Sequence, residues 1–294
     1  MGGVARGRRR EVLVSTPGRG VRPDSVIVEE PLEVRLDGRL VATTMRTPGH
    51  DFELAVGFLS AEGLLAGAPV RRVRYCATGP AAGTGFNVVD VDTGGVAPAA
   101  PARLGTVGAA CGLCGHASIE SLAARLAPLP APLAADPVVL AAVPAAVRAA
   151  QSLFEATGSV HAAASFDPAT GDVGVVREDV GRHNAVDKVV GRLLLDGRFP
   201  AGGAALFVSG RASFEMVQKA WAAGFGLVAA VSGPSSLAVE TARRANLTLV
   251  GFLRPSSMNV YAPAPFSDAP YQDGPSAHPS GDGPTLLWNE GGQP

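Results

Sequence analysis

Cysteine is scarce: Cys76, Cys111 and Cys114 are the only three in 294 residues. An odd, small number in a chain this long is not a disulfide framework. Net charge is also missing, since 25 Lys and Arg stand against 26 Asp and Glu. Without a net basic surface there is no basis for non-specific nucleic-acid binding. Long apolar runs are absent as well. The apolar segments are short and broken by Gly, Pro or charge, so no membrane span is expected. No apolar stretch follows the basic residues Arg6, Arg8, Arg9 and Arg10, so no secretory signal is expected. These absences point to a reducing, cytoplasmic setting, where a close cysteine pair signals chemistry rather than structure.

At 47% hydrophobic, the chain can bury one large core or two smaller ones. Residues 1–24 are expected to be a disordered arm. Val26 to Leu36 and Leu40 to Met45 contain alternating apolar positions around Asp37-Gly38, a strong hairpin signal. Thr47-Pro48 opens a helix whose stripe is Phe52, Leu54, Ala55, Phe58 and Leu59, closed by Gly63. Arg71 to Tyr75 and Phe86 to Val91 follow as strands, joined by a Gly- and Ala-rich loop from Ala77 to Gly85. An Ala/Pro stretch from Gly94 to Leu104 marks a boundary. The expected units are a small α+β domain over 25–105 and an α/β domain over 106–262.

The second unit begins with the cysteine loop, a short helix from Ala117 to Leu126 and a helix from Val143 to Ala156. Strands Val160 to Phe166 and Val173 to Val176 flank the turn from Asp167 to Gly171, and a helix covers His183 to Leu195. Then a strand–loop–helix rhythm runs twice. Ala204 to Val208 leads through Ser209-Gly210-Arg211 into Phe214 to Ala223. Leu227 to Val231 leads through Ser232-Gly233-Pro234 into Leu237 to Ala245, and Leu247 to Leu253 follows. This alternation implies a parallel sheet covered on both faces. Residues 263–294, rich in Pro, Gly, Ser and Asp, are expected to be a disordered tail.

Four places could carry chemistry. In Cys111-Gly112-Leu113-Cys114-Gly115 the glycines allow a tight turn that exposes both sulfurs. Backbone N–H groups and the following helix start would favour thiolate. The spacing alone is compatible with a redox pair, a persulfide carrier or half of a zinc site. Zinc would need four ligands, and no second Cys pair exists; His116 alone cannot complete the set, so no metal is expected. The second place is the pair of Ser-Gly loops at successive strand ends. Ser209, Gly210, Arg211, Ser232 and Gly233 form a ready anion site there, with Arg254 able to add charge. The third is the run Arg177 to Lys188, with seven ionisable residues in twelve, in a chain only 17% charged. The fourth is His161, for which a structural hydrogen-bonding role is the simpler reading.

Together these stretches resemble the formate dehydrogenase accessory sulfurtransferases, the FdhD family. The likeness lies in Arg46-Thr47-Pro48-Gly49-His50-Asp51 through Glu62-Gly63, in Cys111 to Gly115, and in Glu178 to Lys188. It continues in Ser209-Gly210-Arg211 with Glu215, Met216, Val217 and Lys219, and in Ser232 to Ser236. These motifs run in order from about residue 26 to 261. The resemblance implies a carrier between a cysteine desulfurase and the molybdenum cofactor in its bis-molybdopterin guanine dinucleotide form, which is then inserted into formate dehydrogenase. It implies a persulfide on Cys111, with Cys114 beside it, and a homodimer. It implies that Phe252-Leu253-Arg254-Pro255-Ser256-Ser257 contacts the cofactor, with GDP as a partial mimic. Pro255 and Ser257 depart from the residues that some members carry. The implied fold is a cytidine-deaminase-like α/β C-terminal domain beside a smaller α+β N-terminal domain. His161-Ala162-Ala163 lacks the Glu of the deaminase motif, so deamination is not expected. Two competing functions stay open at this point: a thiol–disulfide oxidoreductase, which would need both cysteines, and a cofactor chaperone with an idle pair.

Overall fold

The Asp37-Gly38 hairpin sets the first sheet. Both residues have positive φ, 48° and 79°, as a two-residue turn between twisted strands requires. The computed structural model describes residues 8–76, 87–99, 106–107 and 126–262. The turn joins β3 (Glu30–Leu36) to β4 (Arg39–Arg46). With β5 (Arg72–Tyr75), β6 (Val88–Asp92) and β7 (Thr106–Val107) they form a sheet in the order β5-β6-β3-β4-β7. Helix α1 (Asp51–Ala61) covers it, and Leu32, Val34, Leu54, Leu59, Val89 and Val91 form the core between them.

The second sheet has the order β13-β12-β11-β10-β8-β9. Its strands are β8 (His161–Phe166), β9 (Val173–Asp179), β10 (Ala205–Val208), β11 (Leu227–Ala230), β12 (Thr248–Arg254) and β13 (Ser257–Val260). β10, β11 and β12 are parallel, as the strand–helix rhythm predicts. Both edges are antiparallel, because the short turns before β9 and β13 are too short for a crossover. Every residue of β10 and β11 is buried. Leu206 and Val208 face α4 (Arg182–Leu195), α5 (Phe214–Ala223) and α6 (Ser236–Ala245). Ala205 and Phe207 face α2 (Pro137–Ala149), so the sheet is indeed covered on both faces.

Two local expectations need correction. The arm expected to be disordered over 1–24 forms a hairpin from Arg9 onward: β1 (Arg9–Thr16) pairs with β2 (Gly20–Ile27). The alternation Val12, Val14, Thr16 and the glycine turn, with Gly18 and Gly20 at φ 74°, outweigh the local charge. The helix expected from Val143 begins six residues earlier, at Pro137. Asp136 caps it by accepting from Val138 N at 2.7 Å, and Pro at the first position suits a helix start. It stops at Ala149, and α3 (Ser152–Thr157) follows, ended by Gly158 at φ 65°. Cys76 lies just past β5 and is half-buried. The 77–85 loop, nearly all of the Ala117 to Leu126 helix and the tail from 263 fall outside the described residues.

The two sheets are joined through α1 and α4. A Cβ on Gly57 would stand 1.8 Å from the Asp187 carbonyl, and one on Gly191 would stand 1.8 Å from the Glu53 carbonyl. Backbone touches backbone only because both positions lack side chains. Around this crossing lies a buried polar network. Lys188 Nζ donates to Asp179 Oδ2 at 2.6 Å and to the Thr47 carbonyl at 3.0 Å, while Thr47 N donates to Asp179 at 3.1 Å. Lys219 Nζ donates to Asp187 at 2.8 Å, and Arg177 Nη2 donates to Glu53 at 2.8 Å. The dense charge of Arg177 to Lys188 is thus largely architectural. So is the Arg46 to Asp51 motif, where fully buried Arg46 makes a bidentate pair with Asp51 at 3.0 and 2.9 Å.

Candidate functional site

Three parallel strands end on one rim, and their loops are stitched together there. After β10, Ser209 prolongs the pairing with β8: its N–H donates to the Ala162 carbonyl, and its Oγ accepts from Ala162 N, both at 2.9 Å. After β11, Ser232 N donates to the Gly210 carbonyl at 3.3 Å, and Ser235 N donates to the Ala212 carbonyl at 3.1 Å. Ala212 and Pro234 form a parallel bridge. Phe252 N of β12 donates to the Ser232 carbonyl at 3.3 Å. Ser209, Gly210, Ser232, Gly233 and Phe252 are therefore neighbours, and Arg211 stands exposed beside them.

The segment Phe252 to Ser257 is a bulged hairpin. The register between β12 and β13 shifts between Gly251 and Arg254, and Phe252 takes φ 51°. For an aromatic residue the left-handed region is strained by about 1–3 kcal/mol. The bulge lifts the ring out of the sheet, leaves it 46% exposed and lays it against Gly233. A Cβ at Gly233 would lie 2.7 Å from the ring edge. Arg254 is exposed and rooted by its Nη1, which donates to the carbonyls of Val231 and Leu253. Pro255 and Ser256 form the exposed turn, and Ser257 pairs with Arg254 across it. Leu253 turns the other way, 1% exposed in the core, so it anchors the segment from below and does not line the rim. Cys111 and Cys114 lie outside the described residues.

On the other side of the Ser209-Gly210 loop stand His161 of β8 and Arg182 and His183 of α4. His183 Nε2 lies 3.4 Å from Glu215 Oε2, which also accepts from Ser213 Oγ at 2.9 Å. The hydrogen bond from His183, helped by Ser213 and opposed by burial, holds the Glu215 carboxyl at about 2. His161 is pushed below the ordinary imidazole value. Burial is the main cause, followed by the positive charge of Arg182 and His183, with Asp179 opposing. Buried Asp187 is driven up to about 6 by burial, against the pull of Lys219. Among the described residues, no three His, Cys, Asp or Glu side chains are grouped to hold a metal ion.

What this rim offers is two helix starts, an exposed aromatic face and exposed arginine side chains at the ends of parallel strands, where ligands of open α/β sheets bind. Comparison with known proteins decides the lineage. The model of the FdhD/NarQ family matches residues 27–265. The chain belongs to the FdhD/NarQ family. A relative from Mycolicibacterium paratuberculosis named sulfur carrier protein FdhD is 47% identical over 264 residues, covering 87% of this chain and 97% of that protein. A Streptomyces avermitilis protein of the same name is 48% identical, over 87% of this chain and 93% of its own. A crystal structure from Desulfotalea psychrophila, of a protein assigned as a formate dehydrogenase accessory protein, superposes with a TM-score of 0.66 at 28% identity. That match covers 88% of this chain and 97% of the other. In this FdhD/NarQ chain, sequence reasoning set His161 aside and did not single out Arg182. The signal lies in their strand-end and helix-start positions, but only the β8–β10 pairing brings His161 to Gly210, and the start of α4 brings Arg182 there.

Proposed function

We propose that this protein is a cytoplasmic sulfur carrier, active as a homodimer, that takes sulfur from a cysteine desulfurase and passes it to the molybdenum cofactor destined for formate dehydrogenase. The observation that carries this reading is membership of the FdhD/NarQ family across a stretch that includes the Cys111-Gly112-Leu113-Cys114-Gly115 loop. Relatives at nearly half identity bear the name sulfur carrier. In the first step, Cys111 thiolate attacks the terminal sulfur of the desulfurase persulfide. The donor cysteine leaves as thiolate, and Cys111 becomes the persulfide. Cys114 assists in the same loop.

The bis-molybdopterin guanine dinucleotide cofactor is the second substrate, and the rim is its dock. The Ser209-Gly210-Arg211 and Ser232-Gly233 loops line the dock and lead into the starts of α5 and α6. Arg254 supplies charge at the end of β11, and the Phe252 ring, already displaced from its strand, offers a face for stacking. GDP reproduces the nucleotide end. Calorimetry should give measurable GDP binding by the full chain, weakened about tenfold or more by Arg254→Ala, the worth of a charge-assisted hydrogen bond. Persulfide formation on Cys111 should survive that substitution. Equal affinities for the two proteins, or no binding by the wild type, would sink this placement.

A further inference from the structure

Gly210 is flanked by the side chains of His161 and Arg182. A Cβ built on it would stand 3.4 Å from Cε1 and Nδ1 of His161 and 3.9 Å from Cδ of Arg182, so imidazole and arginine wall the same small space. Arg182 opens α4, and its Nε is buried with no hydrogen-bond partner among the described residues. Such an orphaned donor is rare in a native fold and points to a missing acceptor. The N-cap of α4 is Gly181, so no side chain caps the first turn. Exposed Arg211 lies on the next residue of the loop.

The nearby carboxylates are already engaged. Asp179 is held by Lys188, Asn184 and the backbone N–H of Thr47 and Gly181. Glu178 accepts from Leu153 N and Phe154 N, and Glu215 is engaged by His183 and Ser213. The His161 imidazole, the Arg182 side chain and the start of α4 thus meet beside Gly210, with exposed Arg211 the next residue of the loop.

We propose that His161, Arg182, Arg211 and the Gly210 backbone form a subsite for a phosphate group, separate from the Phe252 and Arg254 side of the rim. A phosphate group seated beside the Gly210 backbone supplies the acceptor that Arg182 Nε lacks. The proposal deepens the cofactor reading, on which it rests for the carrier of the phosphate. Burial and the charges of Arg182, His183 and Arg211 push the His161 imidazole below its ordinary value, while Asp179 works against them. An arriving dianion offsets that repulsion, so the imidazole takes up a proton from solvent when phosphate binds.

The test follows the His161 ring proton by NMR in the full chain, titrated with pH in the presence of inorganic phosphate, GDP or guanosine; His161→Asn assigns the signal. Phosphate and GDP should each raise the His161 midpoint, GDP should displace phosphate, and guanosine should do neither. Arg182→Gln and exposed Arg211→Gln should each weaken phosphate binding about tenfold, with circular dichroism unchanged. No response of His161 to phosphate, or an undiminished response in both variants, overturns the subsite. Phosphate that GDP cannot displace overturns its assignment to a nucleotide. GDP binding by calorimetry with a silent His161 overturns the subsite while leaving the cofactor reading intact.

Discussion

Glu53 illustrates how single residues hold this protein together. It sits on α1, 7% exposed, yet it answers residues of the other sheet layer: Arg177 on β9 and, at 3.8 Å, Arg192 on α4. Burial alone would raise its carboxyl, but the hydrogen bonds from Arg177 and His50 hold it at about 2, below the ordinary 4.5. Because the folded value lies below the unfolded one, the stabilisation is complete above about 4.5 and is lost as pH falls toward about 2. Glu53→Gln should therefore lower stability at pH 7 and flatten its fall between pH 5 and pH 2. Urea denaturation of both proteins across that range checks it. An acid limb of unchanged steepness in the variant would show that Glu53 is not the titrating group.

At the scale of elements, the α1–α4 crossing decides whether the two sheets are held as they are. Gly191→Ala would drive a methyl group into the Glu53 carbonyl, and neither backbone can retreat without opening the ionic network beside it. A loss of about 3 kcal/mol or more is expected, the upper range for overpacking. Gly202 is the control, since a Cβ there meets nothing within 4 Å. Thermal melts showing Gly191→Ala as stable as Gly202→Ala would contradict the close approach.

Much of this architecture was legible in the sequence, for reasons that differ by element. Asp37-Gly38 announced its hairpin because few other residues tolerate the φ values that the turn demands. The Ser-Gly loops announced a rim because each closes a buried strand and opens a helix. The β1–β2 hairpin was hidden because a cluster of arginines looked like a solvated end. The charged run leading into α4 concealed its role because the partners, Thr47, Glu53 and Lys219, are far away in sequence. Phe252 was visible as a candidate, but the bulge that turns its ring onto Gly233 was not. A register shift depends on both strands, and neither strand alone encodes it.

Taken as a whole molecule, the chain joins a cysteine loop to a rim of Ser-Gly loops within the span of one family match. No helix among the described residues is long and apolar enough to cross a membrane. The rim alone would suit a passive cofactor chaperone, and the cysteine pair alone would suit a disulfide oxidoreductase. Sulfur carriage is the reading that uses both, and it makes Cys111 the one indispensable thiol. Intact mass spectrometry of the full chain, after incubation with a cysteine desulfurase and cysteine, tests this most directly. The expected result is a gain of one sulfur atom, removed by reductant, lost in Cys111→Ser, partly kept in Cys114→Ser and undisturbed in Cys76→Ser. A gain that persists in Cys111→Ser, or a wild type that takes up no sulfur, would contradict it.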